Sequence, residues 1–174
     1  MQLYVTIFLK DTNRWVEMGL MTKRREPNAE TLRGLIRTFV RRFGLLDQSR
    51  TPCRLPMTVS DAHALVELVH NPGIEPLELS RRLGLSKSAV SRLLPRLKRR
   101  GQIRQERKKQ DGRAYSLYLT DKGKRTAEMI DQESLLMFGK ILSRMPEREA
   151  KQILNSLPLL IQAISESHRT LGAK

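Results

Sequence analysis

The chain has 174 residues, of which 33 are Lys or Arg and 18 Asp or Glu, with one cysteine and a formal net charge of +15. Such a length is about one domain's worth and buries a core without covalent staples, and 39% hydrophobic with 29% charged residues excludes a disordered chain. The lone Cys53 excludes an intrachain disulfide framework and a multi-cysteine zinc or iron–sulfur site. No apolar run approaches the ~20 residues that span a bilayer. Residues 1–9, the longest apolar run, lack the basic start and small-residue cleavage site of a signal peptide, so the expected location is the cytoplasm.

In chain order, residues 1–27 show weak alternation and then no pattern, and are expected to form an N-terminal arm without an assigned role. A first helix is expected after Pro27, with Asn28 as its N-cap and Leu32, Leu35, Ile36, Phe39, Val40 and Phe43 forming one apolar stripe. Ser60 is expected to cap a second helix with Ala62, Leu65, Val66 and Val69 inward, closed by Asn71, Pro72 and Gly73. A short third helix spans about 76–83, and a fourth spans about 87–100 and stops at Gly101. Two strand-like runs follow, near 102–108 and 114–120, joined by a turn with Gly112 at its tip. One long helix begins after Thr120 and another runs over about 146–170.

The charge is segregated along this order. Residues 75–125 hold 16 basic and 5 acidic residues, a net of +11; residues 1–74 hold 11 and 7, and residues 126–174 hold 6 and 6. A basic segment between near-neutral flanks is the electrostatic footprint of a nucleic-acid-binding module. Inside it, Ser80, Gly84 and Val90 have the spacing of two helices meeting at a tight turn, with Ser86 placed to cap the second. At ~100° per residue, Ala89, Val90, Leu93, Leu94 and Leu97 share one side of the fourth helix and Ser88, Ser91, Arg92, Pro95 and Arg99 the other. Short hydroxyls and an arginine on an outward face suit a major groove. Ser86, Lys87, Ser88, Ser91, Arg92 and Arg96 are therefore the candidate DNA-contacting residues of this helix. Pro95 cannot donate to the carbonyl of Ser91, and a bend is expected there. The hairpin adds Arg104, Arg107, Lys108, Lys109 and Arg113 around Asp111 and Gly112, a cationic tip able to enter a narrow minor groove. Asp111 is read as the partner that holds Arg113 in one rotamer.

The run from Asp111 to Gly123, with Arg113, Leu117, Leu119 and Thr120 at their spacing, resembles the wing of the MarR family of winged helix-turn-helix transcriptional regulators. The helix-turn-helix before it and Gly101 fit the same pattern, and the resemblance covers about 28–170. It implies a mainly α fold with a small β-hairpin wing: a winged helix-turn-helix DNA-binding lobe at 58–120 and dimerisation helices at 28–46 and 121–170. It further implies a homodimer on a pseudo-palindromic operator in double-stranded DNA, acting as a repressor modulated by a small molecule or an oxidant. Arg113 would be the minor-groove arginine and Asp111 its partner, with Ser88, Ser91 and Arg92 in the major groove. The chain departs from the family at Pro95 and at Gln102, where an apolar residue is usual after the glycine, and Pro158 implies a bend in the last helix. The alternative function is a nucleic-acid-binding architectural or accessory protein without operator specificity.

Other chemistry is sparse. Cys53 lies between Arg50 and Arg54, whose charge favours a reactive thiolate; an incidental loop thiol is the simpler explanation. His63, Glu67 and His70 share one face of the second helix at i, i+4 and i+7 and are the one candidate for part of a metal site, against the simpler view of a polar helix face. No phosphate-binding loop, His-Glu-x-x-His, dinucleotide glycine fingerprint or Gly-x-Ser-x-Gly occurs, so no enzyme and no cofactor is expected. A membrane-surface role would need a basic amphipathic helix with exposed aromatics, yet only 5% of residues are aromatic.

Overall fold

The computed structural model describes residues 28–107 and 115–171, with side chains through residue 168. They fall into two compact units divided between Phe43 and Gly44. In the first, helix α1 covers Ala29–Phe43. Asn28 is its cap, accepting from the Thr31 amide at 2.8 Å. Leu32, Leu35, Ile36 and Phe39 are exposed on it, and the Phe39 and Phe43 rings stack at 5.0 Å between centroids.

The second unit carries α2 (Val59–His70), α3 (Pro76–Arg82), α4 (Lys87–Arg99), β1 (Ile103–Arg107), β2 (Tyr115–Leu119), α5 (Asp121–Leu142) and α6 (Glu147–Leu171). The cap of α2 is Thr58 rather than the expected Ser60: the Thr58 hydroxyl accepts from the Asp61 amide at 3.0 Å. The inward face of α2 also differs from expectation. Asp61, Ala62, Ala64, Leu65 and Leu68 are buried, whereas Val69 is exposed. Ala62 and Leu65 are inward as expected and Val66 packs half-buried against the core; Asp61, Ala64 and Leu68 join them, and Val69 alone of the expected set is open.

One core joins α2, α3, α4, the two strands and the first half of α5. Leu65, Leu68, Leu79, Leu93, Leu97 and Leu117 are its largest fully buried apolar side chains. Burying each of them contributes on the order of 1.5–3 kcal/mol relative to exposure. The strands pair antiparallel from Ile103 with Leu119 to Arg107 with Tyr115. Ile74, just before α3, adds a single antiparallel bridge to Leu117 on the edge of β2 away from β1.

The end of α4, the end of β2 and the start of α5 meet at one junction. Gly101, at φ +68°, donates to Lys98 O at 2.9 Å, and Gln102 donates to Leu97 O at 3.0 Å. These two bonds satisfy the last carbonyls of α4 and require the left-handed residue that glycine supplies. Thr120 then closes the junction. Its amide donates to Gln102 O at 3.0 Å. Its hydroxyl donates to Gly101 O at 2.6 Å and accepts from the Gly123 amide at 3.1 Å, capping α5. Gly123 packs so closely that a Cβ there would lie 1.9 Å from Gln102 O.

Beyond Ile130, α5 buries nothing. Leu135, Leu136, Phe138, Ile141 and Leu142 are exposed on it, as are Ile153, Leu154, Leu157, Ile161 and Ile164 on α6. Pro158 lies inside α6. No described helix is long and apolar enough to cross a membrane.

Candidate nucleic-acid interface

The helix-turn-helix is built by two helix ends. Helix α3 stops at Gly84, φ +62°, whose amide donates to Arg81 O at 3.1 Å while the Leu85 amide donates to Ser80 O at 2.9 Å. Ser80 is buried, and its hydroxyl is satisfied by Leu77 O at 2.7 Å, so a small polar residue packs there without an orphaned donor. Ser86 is extended (φ −67°, ψ 154°) and caps α4 by accepting from the Ala89 amide at 3.2 Å. Its hydroxyl also shares a 3.0 Å hydrogen bond with that of Ser88.

Helix α4 then divides into two sides. Val90, Leu93, Leu94 and Leu97 are buried, and Ala89 is half-buried beside them. Lys87, Ser88, Ser91, Arg92, Pro95 and Arg99 are exposed. Four of the six candidate residues of this helix, Lys87, Ser88, Ser91 and Arg92, therefore lie together on the open face, with Ser86 at its start. A cleft of about 490 Å³ runs beside them, lined by Pro76 and Leu77 of α3, Lys87, Ser91 and Pro95 of α4, and Gln105 and Tyr115 of the hairpin.

Arg96 is placed differently. Its Nη2 donates to Asp61 Oδ1 at 2.7 Å, its Nε is buried with no hydrogen-bond partner among the described residues, and the side chain is half-buried rather than open with Arg92. Arg100 donates from Nη1 to the other oxygen, Asp61 Oδ2, at 3.3 Å. Asp61 itself is 0% exposed. Neither Asp61 nor Arg100 stands out in the sequence. The available signal was an acid in the inward row of α2, but its partners lie more than thirty positions along the chain.

On the hairpin, Arg107 is exposed at the end of β1. Lys108, Lys109, Asp111 and Arg113 lie outside the described residues, as does Gly112. Arg104 sits over the Tyr118 ring at 4.7 Å and ion-pairs with Glu106, which fixes it against the hairpin surface.

Glu67 accepts from Asn71 Nδ2 at 2.7 Å and from Arg82 Nη1 at 3.1 Å, tying α2 to α3, while His63 and His70 are exposed. Among the described residues no group of three or more His, Cys, Asp or Glu side chains is arranged to hold a metal ion. Cys53 is half-buried, with its Sγ 3.1 Å from Thr51 Oγ1.

Residues 55–114 match the model of the MarR family. No curated protein matches the chain. Among solved structures, the fold is similar to that of FabT from Streptococcus pneumoniae in complex with DNA, 24% identical, with 79% of this chain and 94% of that chain covered and a TM-score of 0.60. It is likewise similar to the PcaV transcriptional regulator from Streptomyces coelicolor in complex with its natural ligand, 25% identical, with 80% and 99% covered and a TM-score of 0.63.

Proposed function

We propose, for a chain whose residues 55–114 match the model of the MarR family, that it is a transcription regulator acting as a homodimeric, sequence-specific repressor reading a pseudo-palindromic operator. The observation that carries this reading is the two-sidedness of α4. Its apolar side is sealed into the core while Lys87, Ser88, Ser91 and Arg92 stand on the open side, within the segment that holds a net +11. A helix fixed from behind and cationic in front is what entry into a major groove requires. The presence of FabT on DNA in a similar fold supports the same use. Arg107 begins the hairpin contribution, and Lys108, Lys109 and Arg113, with Asp111 positioning Arg113, are proposed to continue it into the minor groove.

The dimer reading rests on surface chemistry. The apolar rows left open on α5 and α6, and the row on α1, are the kind of surface that a second copy covers. Two recognition helices then reach one face of the duplex when their spacing matches about one helical turn, ~34–36 Å. A small molecule or oxidant that changes that spacing releases DNA. In this role the protein works in the cytoplasm.

Two measurements test the proposal. Sedimentation at micromolar concentration is expected to give a dimer; a monomer contradicts the clamp. Binding to duplex from immediately upstream of the protein's own coding region is expected to survive excess shuffled competitor. Equal loss on both duplexes favours the architectural reading instead.

A further inference from the structure

We infer that Asp61 is a positioning residue for operator selectivity: it withholds Arg96 and Arg100 from DNA phosphate and uses them to fix the orientation of α4. The inference rests on the reading of α4 as the recognition helix. Asp61 is 0% exposed in the first turn of α2, and its two carboxylate oxygens accept one arginine each, Arg96 at 2.7 Å and Arg100 at 3.3 Å. Arg96 lies in the second half of α4 and Arg100, one helical turn on, is its C-cap, so the pair of bonds resists both rotation and sliding of that end. The apolar contacts of Leu93 and Leu97 hold the helix to the core but are non-directional; charge-assisted bonds supply the direction.

The geometry of α4 makes this anchor consequential. Pro95 interrupts the backbone ladder immediately before Arg96. The reading residues Lys87, Ser88, Ser91 and Arg92 lie on the N-terminal side of that interruption, and the anchored arginines lie beyond it. Val90, Leu93 and Leu94 pack the reading half into the core without direction, and the Asp61 anchor adds a directional constraint on the end beyond Pro95. The arginine side chains are 37% and 44% exposed, whereas the carboxylate is fully enclosed. Without the carboxylate, both guanidiniums can swing outward to any nearby phosphate.

Asp61→Asn keeps the shape and removes the charge. It is measured beside the wild type on a duplex enriched by the wild-type protein from a random pool and on an unselected random duplex, across a salt series. The preference for the enriched duplex is expected to fall about tenfold, the order of one lost base contact. Binding to the random duplex is expected to steepen by roughly 0.9 in the salt slope for each released arginine that reaches a phosphate. Asp61→Asn that melts cooperatively with unchanged preference and slope overturns the inference.

Arg100→Gln, which leaves the Asp61–Arg96 bond intact, covers the case in which Asp61→Asn fails to fold. It is expected to lower preference with no change of slope on the random duplex. A shallower slope would make Arg100 a phosphate contact and overturn the inference. The slope on random duplex needs no operator, and an absence of enrichment by the wild type itself would reject the operator reading separately.

Discussion

Gly123 and Gln102 show how single positions hold the DNA-facing lobe to its long helix. A Cβ at residue 123 would lie 1.9 Å from the Gln102 carbonyl oxygen, a backbone atom that itself accepts from the Thr120 amide. In an exposed helix, alanine is favoured over glycine by about 1 kcal/mol. Here the clash dominates, since forcing extra volume into a packed site costs on the order of 1–3 kcal/mol or more. Gly123→Ala is therefore expected to lower stability in a urea melt, and a gain near 1 kcal/mol would show that the close approach is absent. Gln102 has the opposite character. It occupies the position after the helix-ending glycine where an apolar contact to the last turn is usual. It is 5% exposed, with Oε1 lacking a partner among the described residues and Nε2 only 3.4 Å from Thr126 Oγ1. The Thr126 hydroxyl keeps its own bond to Lys122 O at 2.8 Å. Gln102→Leu is thus expected to leave stability equal or raise it by about 1 kcal/mol, because an orphaned buried acceptor costs more than a weak bond returns. A cooperative melt shifted downward would show that the amide is better satisfied than this.

At the scale of elements, the sequence located every described helix and both strands, because each is bounded by local chemistry: Asn28, Thr120 and Ser86 at helix starts, Gly84 and Gly101 at helix ends. Its errors on α2 have two origins. Thr58 and Ser60 are both capping hydroxyls two residues apart, and sequence alone does not choose between them; which residues face inward is a separate, tertiary matter. Tertiary charge decides it: Asp61 turns in to meet Arg96 and Arg100, Leu68 takes the inward place and Val69 is left open. No local pattern carries that information. The same contact holds Arg96, one of the candidate DNA-contacting residues, half-buried against Asp61. The resemblance at Thr120 and Gly123 was legible as a motif, but its reason, a cap and a close backbone approach, emerged only in three dimensions. Pro95 is the element-scale test. Proline inside a helix costs up to about 3 kcal/mol relative to alanine, and it lies on the open side, where no core contact is lost by replacing it. Pro95→Ala is expected to raise the midpoint of thermal unfolding and to alter preference among duplexes. A stabilised variant with unchanged preference would separate the missing backbone bond at Pro95 from readout.

For the whole molecule, charge and apolar surface are divided between regions, and each division has a separate consequence. The net +11 over residues 75–125 makes binding to any duplex fall steeply with salt, with a slope of about −0.9 for each phosphate neutralised. The open apolar rows of α5 and α6 are the proposed dimer surface, and on that proposal Leu154→Arg is expected to shift sedimentation from dimer to monomer while leaving the lobe's core intact. If the variant still sediments as a dimer, the interface lies elsewhere. Both consequences converge on one claim, that paired copies of the α4 face read sequence rather than charge alone. Repeated selection of the wild-type protein on a random duplex pool, with shuffled competitor at near-physiological salt, tests it most directly. The account predicts enrichment of an inverted repeat whose half-site centres lie about one helical turn, ~34–36 Å, apart. Tight, steeply salt-dependent binding that enriches no motif would contradict it.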